Sequence, residues 1–273
     1  MNPLLRHDHA RRRAISFLVG ALGFGAVVSG MAHGSDTHLV PGHQAALFGA
    51  EIASWAKVDA RGRIIQAGVT IPYAAIENAP AGHRTGAFRA DAVVDFPAEV
   101  QAATFLNHLG LFWEPEGHEP TGRYDVPHFD FHFFDIPAEE AAAIDCMNLA
   151  QRDPKLTPAG WVPPVPPGAD PKDFCVPLMG FHLVPESEFN GPGVFKPGPF
   201  DKVMIGGEYE GRFTFLEPMI TRAELERKRG FSLPVPQPVK LGRETLYPTK
   251  FEVRFDKTKD AYELIFSGFE PAG

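Results

Sequence analysis

Residues 127–134 read Pro-His-Phe-Asp-Phe-His-Phe-Phe. Successive side chains of a strand point to opposite faces. As a strand, this segment sends Phe129, Phe131 and Phe133 one way and His128, Asp130 and His132 the other. An imidazole–carboxylate–imidazole row backed by phenylalanines is not what core packing alone selects, and it points to a metal or catalytic site. Imidazole with carboxylate suits zinc, manganese, iron or nickel. A helix would also stack His128 and His132 on adjacent turns, but the aromatic run and the preceding Val126-Pro127 favour a strand.

Spacing limits what one ion can take. Alternate residues of a flat strand lie roughly 6.6 Å apart, so His128 and His132 stand about 13 Å apart. One histidine with Asp130 is the easier pair, unless a bulge bends the strand. Further ligands must come from elsewhere. His182 lies in the apolar run Leu178–Leu183, which reads as a buried strand. Glu217 follows a strand expected at Arg212–Leu216, on the face of Phe213 and Phe215. It would serve as a ligand or as a general base that activates metal-bound water; otherwise it caps the helix that follows. His118 sits in the loop Glu114–Glu119, where a lone histidine is more often hydrogen-bonded structure. The expected site is therefore a divalent ion (zinc, manganese or iron) on His128, Asp130, His132 and His182, with Glu217 as the catalytic residue. Past residue 32 there is no Gly-x-Ser-x-Gly elbow, phosphate-binding glycine loop, His-Glu-x-x-His or Cys-x-x-Cys.

The elements that must position these groups are mostly strands. Ala50–Val58 and Arg63–Ile71, joined by Asp59-Ala60-Arg61-Gly62, read as a hairpin. Lys250–Phe255 alternates Phe251, Val253 and Phe255 with Lys250, Glu252 and Arg254, and a turn at Lys257–Asp260 leads into a partner at Tyr262–Phe266. Helix starts are marked at Pro137-Ala138-Glu139-Glu140 and by the capping box Thr221-Arg222-Ala223-Glu224, with a further short helix around Pro97–Leu106. Residues 153–173 hold seven prolines and are expected to form an ordered surface loop without regular structure. The fold class expected is α+β and β-rich, an antiparallel sheet or barrel-like core with a few short helices.

The chain opens with a basic segment, MNPLLRHDHARRR, followed by an uncharged stretch from Ala14 to Ala32 and a small-residue exit at Gly30-Met31-Ala32. These are the three parts of a signal peptide at residues 1–32, with a membrane anchor as the competing reading. Arg11-Arg12 also fits a twin-arginine leader. The leader carries four arginines and one aspartate, so its removal takes the net charge from -8 to -11. Residues 33–273 then form a single globular domain, periplasmic or extracellular. Its acidity argues against a nucleic-acid partner or stable membrane association, leaving a small-molecule ligand. In an oxidising compartment Cys146 and Cys175 are either bridged, worth about 2–4 kcal/mol, or two buried thiols.

The stretches Gly117-His118-Glu119-Pro120, Tyr124–Phe133 and Glu217-Pro218-Met219-Ile220-Thr221 resemble an uncharacterised family of secreted bacterial proteins, a domain of unknown function, over roughly residues 45–230. That resemblance implies a secreted, β-rich domain and lends no mechanism. A looser likeness is to cupin-type barrels, which bind metal through strand histidines and a glutamate; here His-x-Asp-x-His stands where a cupin has His-x-His. The function expected is an exported metal-binding protein, a metalloenzyme if it turns over a small molecule. The alternatives are an envelope or stress-related binding protein with a buried His/Asp network, and an oligomeric structural protein pairing exposed aromatics.

Overall fold

Period-two alternation becomes two large antiparallel sheets packed face to face, with a separate two-stranded ribbon at residues 189–195. The computed structural model describes residues 37–83, 88–147 and 153–273, so the leader expected at 1–32 lies outside the described residues. In chain order the first strands are β1 (Thr37–Leu47), β2 (Ala50–Asp59), β3 (Ile64–Pro72), β4 (Ala92–Asp95), β5 (His108–Glu114) and β6 (His128–Phe134). Next come β7 (Trp161–Val162), β8 (Cys175–Val176), β9 (Gly180–Pro185), β10 (Phe189–Gly191) and β11 (Val194–Phe195). The last are β12 (Lys202–Tyr209), β13 (Arg212–Thr221), β14 (Phe231–Leu233), β15 (Thr245–Asp256) and β16 (Ala261–Ala272). Short helices α1 (Tyr73–Glu77), α2 (Ala98–Ala103), α3 (Ala138–Ala142) and α4 (Arg222–Glu226) lie between them.

One sheet runs β1-β2-β3-β16-β15-β14 and the other β4-β5-β6-β13-β12-β9-β7, with β8 added on β9. Both are open paths, which corrects the barrel-like alternative: edge strands remain on each sheet instead of pairing to close it. Phe129, Phe131 and Phe133 of β6 point into the space between the sheets, with Leu109 and Leu111 of β5, Leu216 of β13, and Leu264 and Phe266 of β16. Phe133 and Phe266 meet edge to face across the sandwich at 4.9 Å. Each such side chain, fully buried, stabilises the fold by about 1.5–3 kcal/mol. This aromatic wall fixes the opposite face of β6 outward, and with it the histidines and the aspartate.

The two hairpins form as expected, the second extending to Thr245–Asp256 and Ala261–Ala272 in continuous register. The Thr221 hydroxyl caps α4 by accepting from the Glu224 amide at 3.1 Å. That cap leaves Glu217 without the helix-capping role weighed for it. Two expectations are corrected. Strand β13 runs through Pro218 to Thr221, so Glu217 is mid-strand rather than at its end. Residues 153–173 are not devoid of regular structure: they form 3-10 turns at Pro154–Leu156 and Pro171–Phe174 and strand β7. Asp153 and Asp170 cap those turns, and a proline at the first position is compatible with each. Trp161 Nε1 donates to the Met204 carbonyl at 3.0 Å, anchoring this segment on β12. Cys146 and Cys175 form a disulfide, with Cα atoms 5.8 Å apart, that ties the chain after α3 to β8. Among the described residues no helix is long and apolar enough to cross a membrane.

Candidate metal centre

The outer face of the second sheet carries the polar row of β6. On β5, Glu114 lies opposite His128, Phe112 opposite Asp130 and Gly110 opposite His132. On the other side Leu216 of β13 pairs with Phe133 and Met219 with Asp130, which sets Glu217 beside His132. Two strands further on, His182 of β9 pairs with Gly207 of β12, and Gly207 with Phe215 of β13.

Gly207 makes this crossing possible. A β-carbon there would fall 1.9 Å from the Phe215 ring, so only glycine lets that ring lie flat across β12. Phe215 then packs against both imidazoles, 4.9 Å from His132 and 5.1 Å from His182. A bulge at Thr214 of β13, opposite Gly207 and Glu208, turns Phe213 to the inter-sheet core. Phe213 therefore does not share the face of Phe215 and Glu217, contrary to strict alternation along β13.

The ligand-type side chains fall into two groups. In the first, donor atoms of His132, His182 and Glu217 all lie within 4.8 Å of one another. His132 Nε2 is 3.4 Å and His182 Nε2 3.6 Å from the same Glu217 oxygen, Oε2. Both ring nitrogens of His132 and Glu217 Oε2 are buried without a hydrogen-bond partner in the protein. Leaving such atoms bare costs about 1–3 kcal/mol each.

Burial dominates the electrostatics of this group. Burial pushes His132 down to about 3, with His182, His118 and His108 adding to the effect and Asp130 opposing it. Burial, then the charge of His118, lowers His182 to about 4. Burial and the neighbouring Asp130 carboxylate raise the Glu217 carboxyl well above its ordinary range. The imidazoles are thus held in the neutral form that ligates metal, while the carboxylate lacks the counter-charge it needs.

The second group is His118, His128 and Asp130, whose donor atoms also lie within 4.8 Å. The Nδ1 atoms of both histidines sit on main-chain carbonyls, His118 on Glu119 at 2.6 Å and His128 on Val126 at 2.7 Å. Their Nε2 atoms face Asp130, at 3.4 and 3.1 Å. Burial works against a charge on His118, but the Asp130 carboxylate, the Glu119 carbonyl and Glu114 outweigh it and lift the imidazole to about 9. Burial would likewise raise Asp130, yet His128 and His118 hold it well below the usual carboxylate range. His118 is delivered by Gly117, whose φ of +72° suits glycine and whose missing β-carbon would lie 2.0 Å from the Tyr124 carbonyl.

Both groups border one cavity of about 740 Å³. Its walls are apolar, with Phe174, Val176, Met179, Val184, Phe195 and Met219, several of them from the disulfide-tied segment. Its lining sets the carboxyl groups of Glu114, Glu119, Asp130, Asp173 and Glu217 against the raised imidazole of His118, with no lysine or arginine in it among the described residues. That balance repels anions and attracts cations.

The four ligands expected from the sequence are thus divided, His128 and Asp130 in one group and His132 and His182 in the other, as the spacing along a flat strand demands. Glu217, expected as the catalytic residue, stands among the ligand atoms. His118, set aside as ordinary loop structure, completes the second group. The signal for it was only its place ten residues before His128 in a glycine-marked turn.

Residues 59–113 match the model of a family described as TTHB210-like, hypothetical protein TTHB210. The matched segment runs from the end of β2 through β5, the scaffold beside the site, and stops short of β6, β9 and β13. It agrees with a likeness to an uncharacterised family, while the His-Phe-Asp-Phe-His motif lies outside it and two open sheets give the cupin likeness no support. Comparison with curated proteins finds no match, and neither does comparison with solved structures.

Proposed function

We propose that this is an exported metal-binding protein whose divalent ion is held by His132, His182 and Glu217 beside a cavity for a small molecule. The observation that carries the reading is the convergence of these three donors from β6, β9 and β13, with His132 and Glu217 buried and holding atoms without a hydrogen-bond partner in the protein. Two imidazoles and one carboxylate with open positions are the donor set of catalytic zinc and non-haem iron sites. Glu217 is 2% exposed and faces both histidines, so it serves better as a ligand than as a base reaching for water. The ligand suited to the cavity has an apolar body and a polar head with an oxygen donor that an ion can polarise. A fully satisfied polar network would fix the core without metal; the bare atoms of His132 and Glu217 argue against that alternative. The disulfide fits an oxidising compartment and supports export.

Elemental analysis of protein purified without a histidine tag tests the reading. Wild type is expected to carry tightly held zinc, manganese or iron, and His182→Ala and Glu217→Gln each to lose one equivalent. Unchanged metal content in both variants would overturn it.

A further inference from the structure

The second group, His118, His128 and Asp130, stands on residues the first site does not use. We infer that it is a second cation site, so that the cavity holds two divalent ions on adjoining rungs of the sheet. Three observations carry the inference. The Nδ1 atoms of His118 and His128 are both fixed by main-chain carbonyls, the usual arrangement by which a metal-bound histidine is oriented, leaving Nε2 as the donor. The two Nε2 atoms and the Asp130 carboxylate converge within 4.8 Å. Buried His128 Nε2 and Asp130 Oδ1 face each other at 3.1 Å, yet neither makes a hydrogen bond of acceptable geometry.

Charge and register favour the same reading. Glu114, opposite His128, adds a carboxylate to this end of the cavity. Five aspartate and glutamate side chains line a cavity that no lysine or arginine lines among the described residues, a lining that favours cations. Asp130 and His132 are two residues apart on one strand, roughly 6.6–7 Å between Cα atoms. A small molecule seated in the cavity would therefore reach both ions at once, which suits a ligand with two oxygen donors.

Cobalt(II) titration of the chelator-stripped, untagged protein decides the matter, read by visible absorption and by metal retained after gel filtration. Wild type is expected to retain two equivalents, and His118→Ala and His182→Ala one each. The His118 side chain is 40% exposed on a loop, so its removal is expected to leave the circular dichroism spectrum intact. Wild type retaining a single equivalent that His182→Ala loses and His118→Ala keeps would overturn the second site and leave the first standing. A single equivalent lost only in His118→Ala would support this site and overturn the first. No retained cobalt would overturn both.

Discussion

His132 Nε2 and Glu217 Oε2 face each other across β6 and β13 at 3.4 Å, both buried and neither with a hydrogen-bond partner in the protein. The pairing exists because the aromatic face of β6 is committed to the inter-sheet core, which leaves its polar face against the outer surface of β13.

Glu217→Gln separates a ligand from a structural carboxyl. Without metal the Glu217 carboxyl favours its protonated form, which glutamine mimics in shape, so the metal-free melting temperature is expected to change little. Wild type at a hundredfold excess of zinc over its dissociation constant should gain about 2.7 kcal/mol, or roughly 5–10 °C, and the variant should lose that gain. Thermal melts with and without chelator provide the check; an equal loss in both conditions would assign Glu217 a structural role.

Gly207→Ala acts at a distance from any ligand atom. Its β-carbon must displace the Phe215 ring that supports His132 and His182. A cost of about 1–3 kcal/mol is expected from overpacking, together with loss of the ion nearest Phe215. Gly191→Ala, with open space around it, is the control for metal content and stability.

Much of this was legible in the sequence, for local reasons. Period two along residues 128–134 gave both faces of β6, and Thr221 marked the start of α4. Glu217 was harder. A strand ending at Leu216 is expected, whereas β13 continues through Pro218, which cannot donate to the ladder, to Thr221, and Glu217 sits mid-strand. The partnership of His182 with Glu217 depends on the order β6-β13-β12-β9, which no local pattern encodes. The rings that the bulge parts, Phe213 and Phe215, lie against Gly206 and Gly207 of the neighbouring strand, where a β-carbon would meet them.

Replacing both cysteines with serine tests the tie between the cavity wall and α3. The bridge spans 29 positions, and loop-closure entropy for such a span is about 3–4 kcal/mol. The denaturation midpoint is expected to fall accordingly, with the sheets retained by circular dichroism. A shift below about 1 kcal/mol would mean that packing alone holds the wall.

Glu224 supplies a pH signature away from the site. It is fully buried and receives Lys202, Arg227 and Arg229 at 2.6–3.3 Å. Burial raises its carboxyl, but Arg229 and Lys202 outweigh burial and hold it below the ordinary range. A lowered pKa gives stability that is present above the unfolded value and lost as pH falls through the folded one. Glu224→Gln is therefore expected to cost about 2–3 kcal/mol near pH 7, since its partners can turn to solvent, and progressively less below about pH 4. Urea unfolding of both proteins across that range reads the difference; a gap that persists at low pH would locate the loss in packing.

The most direct test of the central claim is anomalous diffraction from a crystal of the zinc-loaded protein, collected on both sides of the zinc edge. A peak is expected about 2.0–2.2 Å from His132 Nε2, His182 Nε2 and a Glu217 oxygen. A zinc-loaded crystal with no anomalous density among those three side chains would contradict it.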